Sequence, residues 1–299
     1  MSRTDFDVVI VGGGPAGLSA ALILGRARRR VLLCEAGTPR NARAHAVQGF
    51  VTRDGTPPVE FRRIGREQLA PYASVEVRDV RVDSLRGEPD AFEIHAQSAA
   101  ITARRVVLCV GMRDELLDLP GYAELWGDGI FQCPYCHGWE VRDRRLGYLA
   151  PSAEALPWAA MLLGWSADVT VYTGGAFDVA QETARTLEQK NIRVETRKLR
   201  GLIPAGDERR LVALEFCDGT RAPCDALFSH PPQSQTPLVQ QLDLPLDEAG
   251  FVRVDAQQQT LRTGIYAAGD LTTMRQGALL AAAAGATAAY ALNHELALL

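Results

Sequence analysis

The sequence carries no excess of positive charge. Its 32 lysines and arginines are outweighed by 36 acids, giving a net charge of −4, so no global basic field exists to hold nucleic acid or an anionic lipid surface. Lysine itself is almost missing: Lys190 and Lys198 are the only two, and the other basic residues are arginines. Together with the abundance of alanine, that bias says little about function. A long hydrophobic run is lacking as well. The longest uncharged stretch, residues 277 to 293, is rich in alanine and glycine and contains Thr287 and Tyr290. It falls short of the ~20 strongly apolar residues of a membrane span, and a buried helix is expected there instead. No export pattern marks the start, where Asp5 and Asp7 flank the first apolar run and glycines close it. Six cysteines in 299 residues do not form a disulfide framework. The expected compartment is the cytoplasm, where a close cysteine pair points to redox or metal chemistry.

What is present reads as a globular protein of two domains. The length is about twice that of a typical domain, and 47% of residues are hydrophobic, ample for a buried core. The opening is specific. Asp7-Val-Val-Ile-Val11 is a β-branched run, followed by Gly12-Gly-Gly-Pro-Ala-Gly17, an apolar helical segment, and a second run, Val31-Leu-Leu-Cys34, ending at Glu35. Strand, glycine turn, helix, strand and acid make up a dinucleotide-binding unit. Gly12 permits the tight turn, Gly14 lets the backbone approach a pyrophosphate, and Gly17 lets the helix pack closely on the strand. The helix N-terminus offers free N–H groups to the phosphates, and Glu35 arrives where a ribose hydroxyl needs an acceptor. At the other end, Thr263-Gly-Ile-Tyr-Ala-Ala-Gly-Asp270 is a short strand ending at an acid, and Arg275-Gln276 opens the alanine-rich helix. An Asp at that point is suited to hold a hydroxyl of the same dinucleotide.

Between these ends lies a different piece. Strand candidates are Val106–Val110, Leu146–Ala150, Asp168–Tyr172, Asn191–Glu195, Leu211–Phe216 and Ala226–Phe228, with a helix from about Ala153 to Trp165. Residues 231 to 241, Pro-Pro then Gln-rich, read as a return linker. The layout is α/β: an outer domain made of both chain ends, with a smaller domain inserted at about residues 113 to 237. The inserted piece carries Cys133-Pro-Tyr-Cys136-His137. Two thiols one helical turn apart can close a small disulfide whose first thiol is often acidified, and His137 is placed to shuttle a proton near neutral pH. Competing readings are c-type haem attachment, which needs export; zinc with Cys217 and Cys224, whose spacing is too wide; and a purely structural pair. Buried packing is the default for Cys34, Cys109, Cys217 and Cys224.

These three separated motifs, in this order, resemble low-molecular-weight thioredoxin reductase along nearly the whole chain. The resemblance implies two Rossmann-like three-layer domains: an FAD domain (1–112 and 238–299) interrupted by a domain of degenerate NADPH type (113–237). It implies FAD held by Gly12, Gly14, Gly17, Glu35, Gly269, Asp270 and Gln276, with Arg40 and Asn41 as further candidates. Cys136 would face the flavin and Cys133 would exchange with substrate. A homodimer is also implied. The histidine after the second cysteine, where thioredoxin reductases carry Asp, is similar to a Cys-x-x-Cys-His subgroup that includes flavin-dependent dithiol oxidases.

One departure sharpens the expectation. Where thioredoxin reductases carry a second glycine loop for NADPH, this chain reads Leu149-Ala-Pro-Ser-Ala-Glu-Ala155, and no arginine cluster follows Tyr172-Thr-Gly-Gly175. A Cβ at Ser152 obstructs the approach to a pyrophosphate, and Glu154 adds charge of the wrong sign, so NADPH binding is doubtful. The expected partner is therefore a small-molecule dithiol or a thioredoxin-like protein, with oxygen as electron acceptor, and with neither nucleic acid nor a membrane involved. The alternatives are a thioredoxin-disulfide reductase using NADPH weakly or a donor such as ferredoxin, and a non-catalytic flavin-binding redox sensor.

Overall fold

The computed structural model describes residues 4–206 and 208–299 and divides the chain into two compact units. The first contains the described residues up to Ala42, Phe50–Arg113 and Gln233–Leu299; the second contains Arg43–Gly49 and Asp114–Pro232. Three boundaries differ from the sequence reading, the smallest difference being that Arg113 groups with the outer piece. The short segment Arg43–Gly49 groups with the inserted piece, and residues 233 to 237 group with the outer one.

In the first unit, the strands run side by side in the order Val75–Arg78, Val31–Cys34, Phe6–Val11 and Ala99–Leu108, all parallel, with Ile265–Ala267 on the far side of the last. Ala99–Leu108 is long enough to do two jobs. Its second half joins the parallel sheet, and its first half pairs antiparallel with Phe92–Ala96, which in turn pairs with Val82–Arg86. Alternation along Phe6–Val11 serves two cores. Val8 and Ile10 face one set of buried residues that includes Ala20, Leu24 and Leu292, while Val9 and Val11 face another that includes Phe92, Leu108 and Leu271. The first set lies under helices Pro15–Arg26 and Ala278–Leu298. These helices approach closely because a Cβ on Gly285 would strike the carbonyl of Ala16. The alanine-rich helix is present as expected, but it is buried on one side only: Leu279, Leu280 and Tyr290 are exposed.

In the second unit, five parallel strands lie in the order Ile192–Glu195, Val169–Tyr172, Leu146–Leu149, Ala226–Ser229 and Ile130–Phe131. Leu199–Ala205, Glu208–Phe216 and Arg221–Pro223 form a separate antiparallel layer, which takes the expected strand at Leu211–Phe216 out of the parallel sheet. The expected helix after Leu146–Leu149 is present as a 3₁₀-helix, Ala153–Gly164. Pro157 inside it has no N–H to complete an α-helical ladder, and a 3₁₀ run of this length is unusual. The expected return linker is ordered, forming strand Gln233–Gln235 and helix Pro237–Gln241.

Candidate active site

The amino-terminal turn of the first unit is shaped by its glycines. Gly12 adopts a φ of 109°, and a Cβ there would collide with the Cys109 carbonyl; at Gly17 it would collide with the carbonyl of Gly12. At Gly14, the N-cap of helix Pro15–Arg26, a Cβ would meet nothing within 4 Å. Open space in front of a helix N-terminus is the cradle a pyrophosphate needs. Glu35, only 7% exposed, is fixed at the end of its strand because its carboxylate accepts the Gly13 N–H at 2.5 Å and the Gly37 N–H at 2.7 Å.

The carboxyl-terminal motif converges on the same place. Gly269 (φ 97°) turns the chain beside Ala16, whose Cβ lies 3.3 Å from where a Gly269 Cβ would sit. Arg40 donates to Asp270 Oδ2 at 2.9 Å and to Gln276 Oε1 at 2.6 Å. Gln276 and Gln233 exchange side-chain hydrogen bonds at 2.8 and 3.1 Å. The structure thus brings together Gly12, Gly14, Gly17 and Glu35 at one end, and Arg40, Gly269, Asp270 and Gln276 at the other. Asn41 stays in an exposed turn. Two residues of this cluster escape a sequence reading. Gln233 sits in what reads as linker, and Arg62, on helix Pro58–Leu69, reaches within 4.0 Å of Glu35 from a position that no motif marks.

In the second unit, Cys133 and Cys136 form a disulfide across the single-turn helix Pro134–His137, with Cα atoms 5.3 Å apart. The turn closes with the Gly138 N–H donating to the Pro134 carbonyl at 2.7 Å. Tyr135, exposed, meets Trp165 edge-on at 5.4 Å. His137 stacks on Phe131 at 4.5 Å, and neither ring nitrogen has a hydrogen-bond partner among the described residues. Burial pushes its pKa down to about 4, against smaller opposing pulls from the Cys133 backbone and Asp128. That burial works against the proton-shuttle role expected of His137 near neutral pH. Among the described residues, the other cysteines do not join the pair in a group suited to hold a metal. Cys34, Cys109 and Cys224 are buried, with their thiols pushed up to about 11, 12 and 12.

The second unit's own dinucleotide position is built differently. Ala150 is buried and its N–H is taken by the Tyr172 carbonyl at 3.0 Å. Ser152 caps the 3₁₀-helix, and its hydroxyl holds the Glu154 carboxyl below the usual range. Further along, Trp158 packs on Tyr148 and edge-on against His230, at 4.5 and 4.6 Å. Arg197, just after strand Ile192–Glu195, is already engaged by Glu195 at 2.5 Å.

The model of the pyridine nucleotide-disulphide oxidoreductase family matches residues 6–288. The chain belongs to that family. This thioredoxin reductase-like oxidoreductase is an FAD-dependent thiol-disulfide enzyme. It is 33% identical to thioredoxin reductase tcpT of Claviceps purpurea over 278 residues, 88% of this chain and 86% of that one. A probable thioredoxin reductase of Arthroderma benhamiae is 37% identical over 177 residues, 57% of this chain but only 44% of its own length. Among solved structures, that of HlmI superposes with a TM-score of 0.90 at 35% identity, covering 98% of this chain and 92% of the other. Among the described residues, no helix is long and apolar enough to cross a membrane.

Proposed function

We propose that this oxidoreductase is a dithiol oxidase: it takes two electrons from a substrate dithiol through Cys133 and Cys136 and delivers them to oxygen. The observation that carries the proposal is the pairing of a formed Cys133–Cys136 disulfide with a neighbouring dinucleotide position unsuited to NADPH. There the residues do not fit a nicotinamide dinucleotide. Ala150 and Ser152 stand where the two glycines of such a loop would be, the buried Ala150 has its N–H engaged, Glu154 adds negative charge, and the segment that follows is not an α-helix. A carboxylate there repels a pyrophosphate, and Arg197, which follows strand Ile192–Glu195, is already engaged by Glu195.

The first unit does fit FAD. Gly12, Gly14 and Gly17 shape the pyrophosphate turn, Glu35 accepts from a ribose, and Arg40, Asp270, Gln276 and Gln233 form the opposite end of the cradle. When bound, FAD would supply the two-electron acceptor that the dithiol needs and the chemistry by which oxygen takes up the pair. Cys133 meets the substrate thiol, Cys136 passes the electrons on, and His137 packs the turn as a neutral ring. The balance is one dithiol and one oxygen converted to one disulfide and one hydrogen peroxide.

A second reading is a thioredoxin-disulfide reductase drawing on another donor, and the names of the fungal relatives favour it. Oxygen consumption decides between them. With dithiothreitol under air, the oxidase consumes oxygen and forms peroxide in equal amounts. A protein that does neither, yet reduces thioredoxin disulfide when given a donor, is the reductase.

A further inference from the structure

The turn that carries the redox pair has little to hold its own shape. Pro134–His137 is a single helical turn, and a helix this short is unstable alone. Two backbone hydrogen bonds close it: the Cys136 N–H donates to the Cys133 carbonyl at 3.2 Å and the Gly138 N–H to the Pro134 carbonyl at 2.7 Å. Of its four residues only Pro134 is buried, and Tyr135, between the two cysteines, is 73% exposed.

Trp165 grips this turn from elsewhere in the same unit. It caps the carboxyl end of the 3₁₀-helix Ala153–Gly164 and lays its ring against the backbone at Gly138, where a Cβ would lie 2.8 and 2.9 Å from two ring carbons. The same ring meets Tyr135 edge-on at 5.4 Å, and the Tyr135 hydroxyl donates to Met161 Sδ, on that 3₁₀-helix, at 3.9 Å. The chain beyond the turn is fastened to the same place. The Asp143 N–H donates to the Trp165 carbonyl at 2.9 Å, and the Ser166 hydroxyl to the Arg144 carbonyl at 2.6 Å. The segment that does not suit a nicotinamide dinucleotide thus ends in a clamp on the redox turn.

We infer that Trp165 is a positioning residue of the redox pair: by holding Tyr135 and Gly138 it keeps the turn in the shape of the closed disulfide and so favours the oxidised pair. In exchange with a dithiol, two electrons and two protons pass from substrate to pair. The Cys133–Cys136 bond breaks, both cysteines become thiols, and the substrate's own disulfide forms. The covalent tie is then gone, and a free turn would gain conformations that part the two thiols. A ring packed on the turn from outside removes some of that freedom, holds the thiols at high effective concentration, and makes reclosure easier. A pair biased in this way yields its electrons readily to the next acceptor. The inference rests on reading Cys133–Cys136 as the pair that exchanges with a dithiol.

The test reads an equilibrium of the cysteines, not turnover. Anaerobic holoprotein is poised at pH 7 in mixtures of reduced and oxidised dithiothreitol, quenched with acid and alkylated, and mass spectrometry gives the opened fraction of Cys133–Cys136. Trp165→Ala is expected to lower the midpoint ratio of reduced to oxidised dithiothreitol about tenfold, the size of a good aromatic contact. That corresponds to a potential about 30 mV less negative. Tyr135→Ala, at an exposed position, moves the midpoint the same way by about threefold, and it decides the matter if the tryptophan variant does not fold. Trp165→Phe keeps a ring against Gly138 and recovers most of the shift. Midpoints equal to wild type in the alanine variants, whatever their Tm, overturn the inference. So does a shift to higher ratios, or one that Trp165→Phe shares in full. A wild-type disulfide that no ratio of dithiothreitol opens overturns the dithiol reading and, with it, this inference.

Discussion

Arg40 and Asp270 lie 230 positions apart in the chain and meet at 2.9 Å, the guanidinium also reaching Gln276 at 2.6 Å. Both partners are about one-fifth exposed, so the pair sits where solvent weakens it only partly. It joins the turn after Glu35 to the Gly269-Asp270 turn and so completes the cradle assigned to FAD. Arg40→Met is expected to lower FAD affinity on the order of 10-fold, the size of one charged hydrogen bond. Flavin released on dilution or dialysis reads it, and retention equal to wild type would show that the pair plays no part in holding the cofactor.

The glycines separate cofactor binding from folding. A side chain at Gly14 enters open space, whereas one at Gly17 strikes the Gly12 carbonyl. Gly14→Val should therefore yield a folded, colourless protein with its apo Tm unchanged, and Gly17→Ala should lower Tm. Flavin content near one per chain in the Gly14 variant would contradict the assignment of that turn.

These local features were legible in the sequence because the backbone dictates them. A tight turn needs Gly12, a helix packed on a strand needs Gly17, and a one-turn disulfide needs cysteines three apart. The features that were not legible depend on partners far away in the chain. Arg62 beside Glu35, Gln233 on Gln276, and His45 on Asp128 are contacts that no spacing announces. The segment Ala153–Gly164 has apolar spacing that suits an α-helix, and only the missing N–H of Pro157 hints at the tighter coil. Alanine marks no face, so the half-exposed side of Ala278–Leu298 was invisible as well. The surroundings of His137 are likewise not legible in its motif, because they depend on stacking against Phe131, which the motif does not contain.

That burial has a pH signature. The folded pKa of His137 is about 4, below the ordinary 6.5, so between those values the unfolded chain binds a proton that the folded one refuses. Stability is expected to fall as the pH drops from 6.5 toward 4. His137→Phe preserves the stack and removes the titration, so its urea midpoint should fall less over the same range. Midpoints that fall in parallel would mean the imidazole is not buried neutral.

A buried charge braces the alanine-rich helix against the sheet. Arg105, 3% exposed, donates to Glu295 Oε1 at 2.7 Å, and the Tyr266 hydroxyl donates to Oε2 at 2.7 Å. Glu295→Leu leaves the guanidinium with Asp90 at 3.2 Å and the Arg104 carbonyl, and should cost about 2 kcal/mol. Adding Arg105→Leu is expected to recover part of that loss, since the buried guanidinium that lost its shorter ion pair is then gone. A double variant less stable than the single one would contradict this account of the pair.

The most direct measurement is anaerobic reduction of the bound flavin, followed by its absorbance after mixing the holoprotein with a dithiol or with NADPH. If Cys133 and Cys136 feed the flavin and the second dinucleotide position takes no nicotinamide, dithiothreitol bleaches the flavin stoichiometrically. Millimolar NADPH then acts far more slowly, and Cys133→Ser or Cys136→Ser abolishes the dithiol route. Rapid stoichiometric bleaching by micromolar NADPH would contradict the account and make the protein an ordinary reductase.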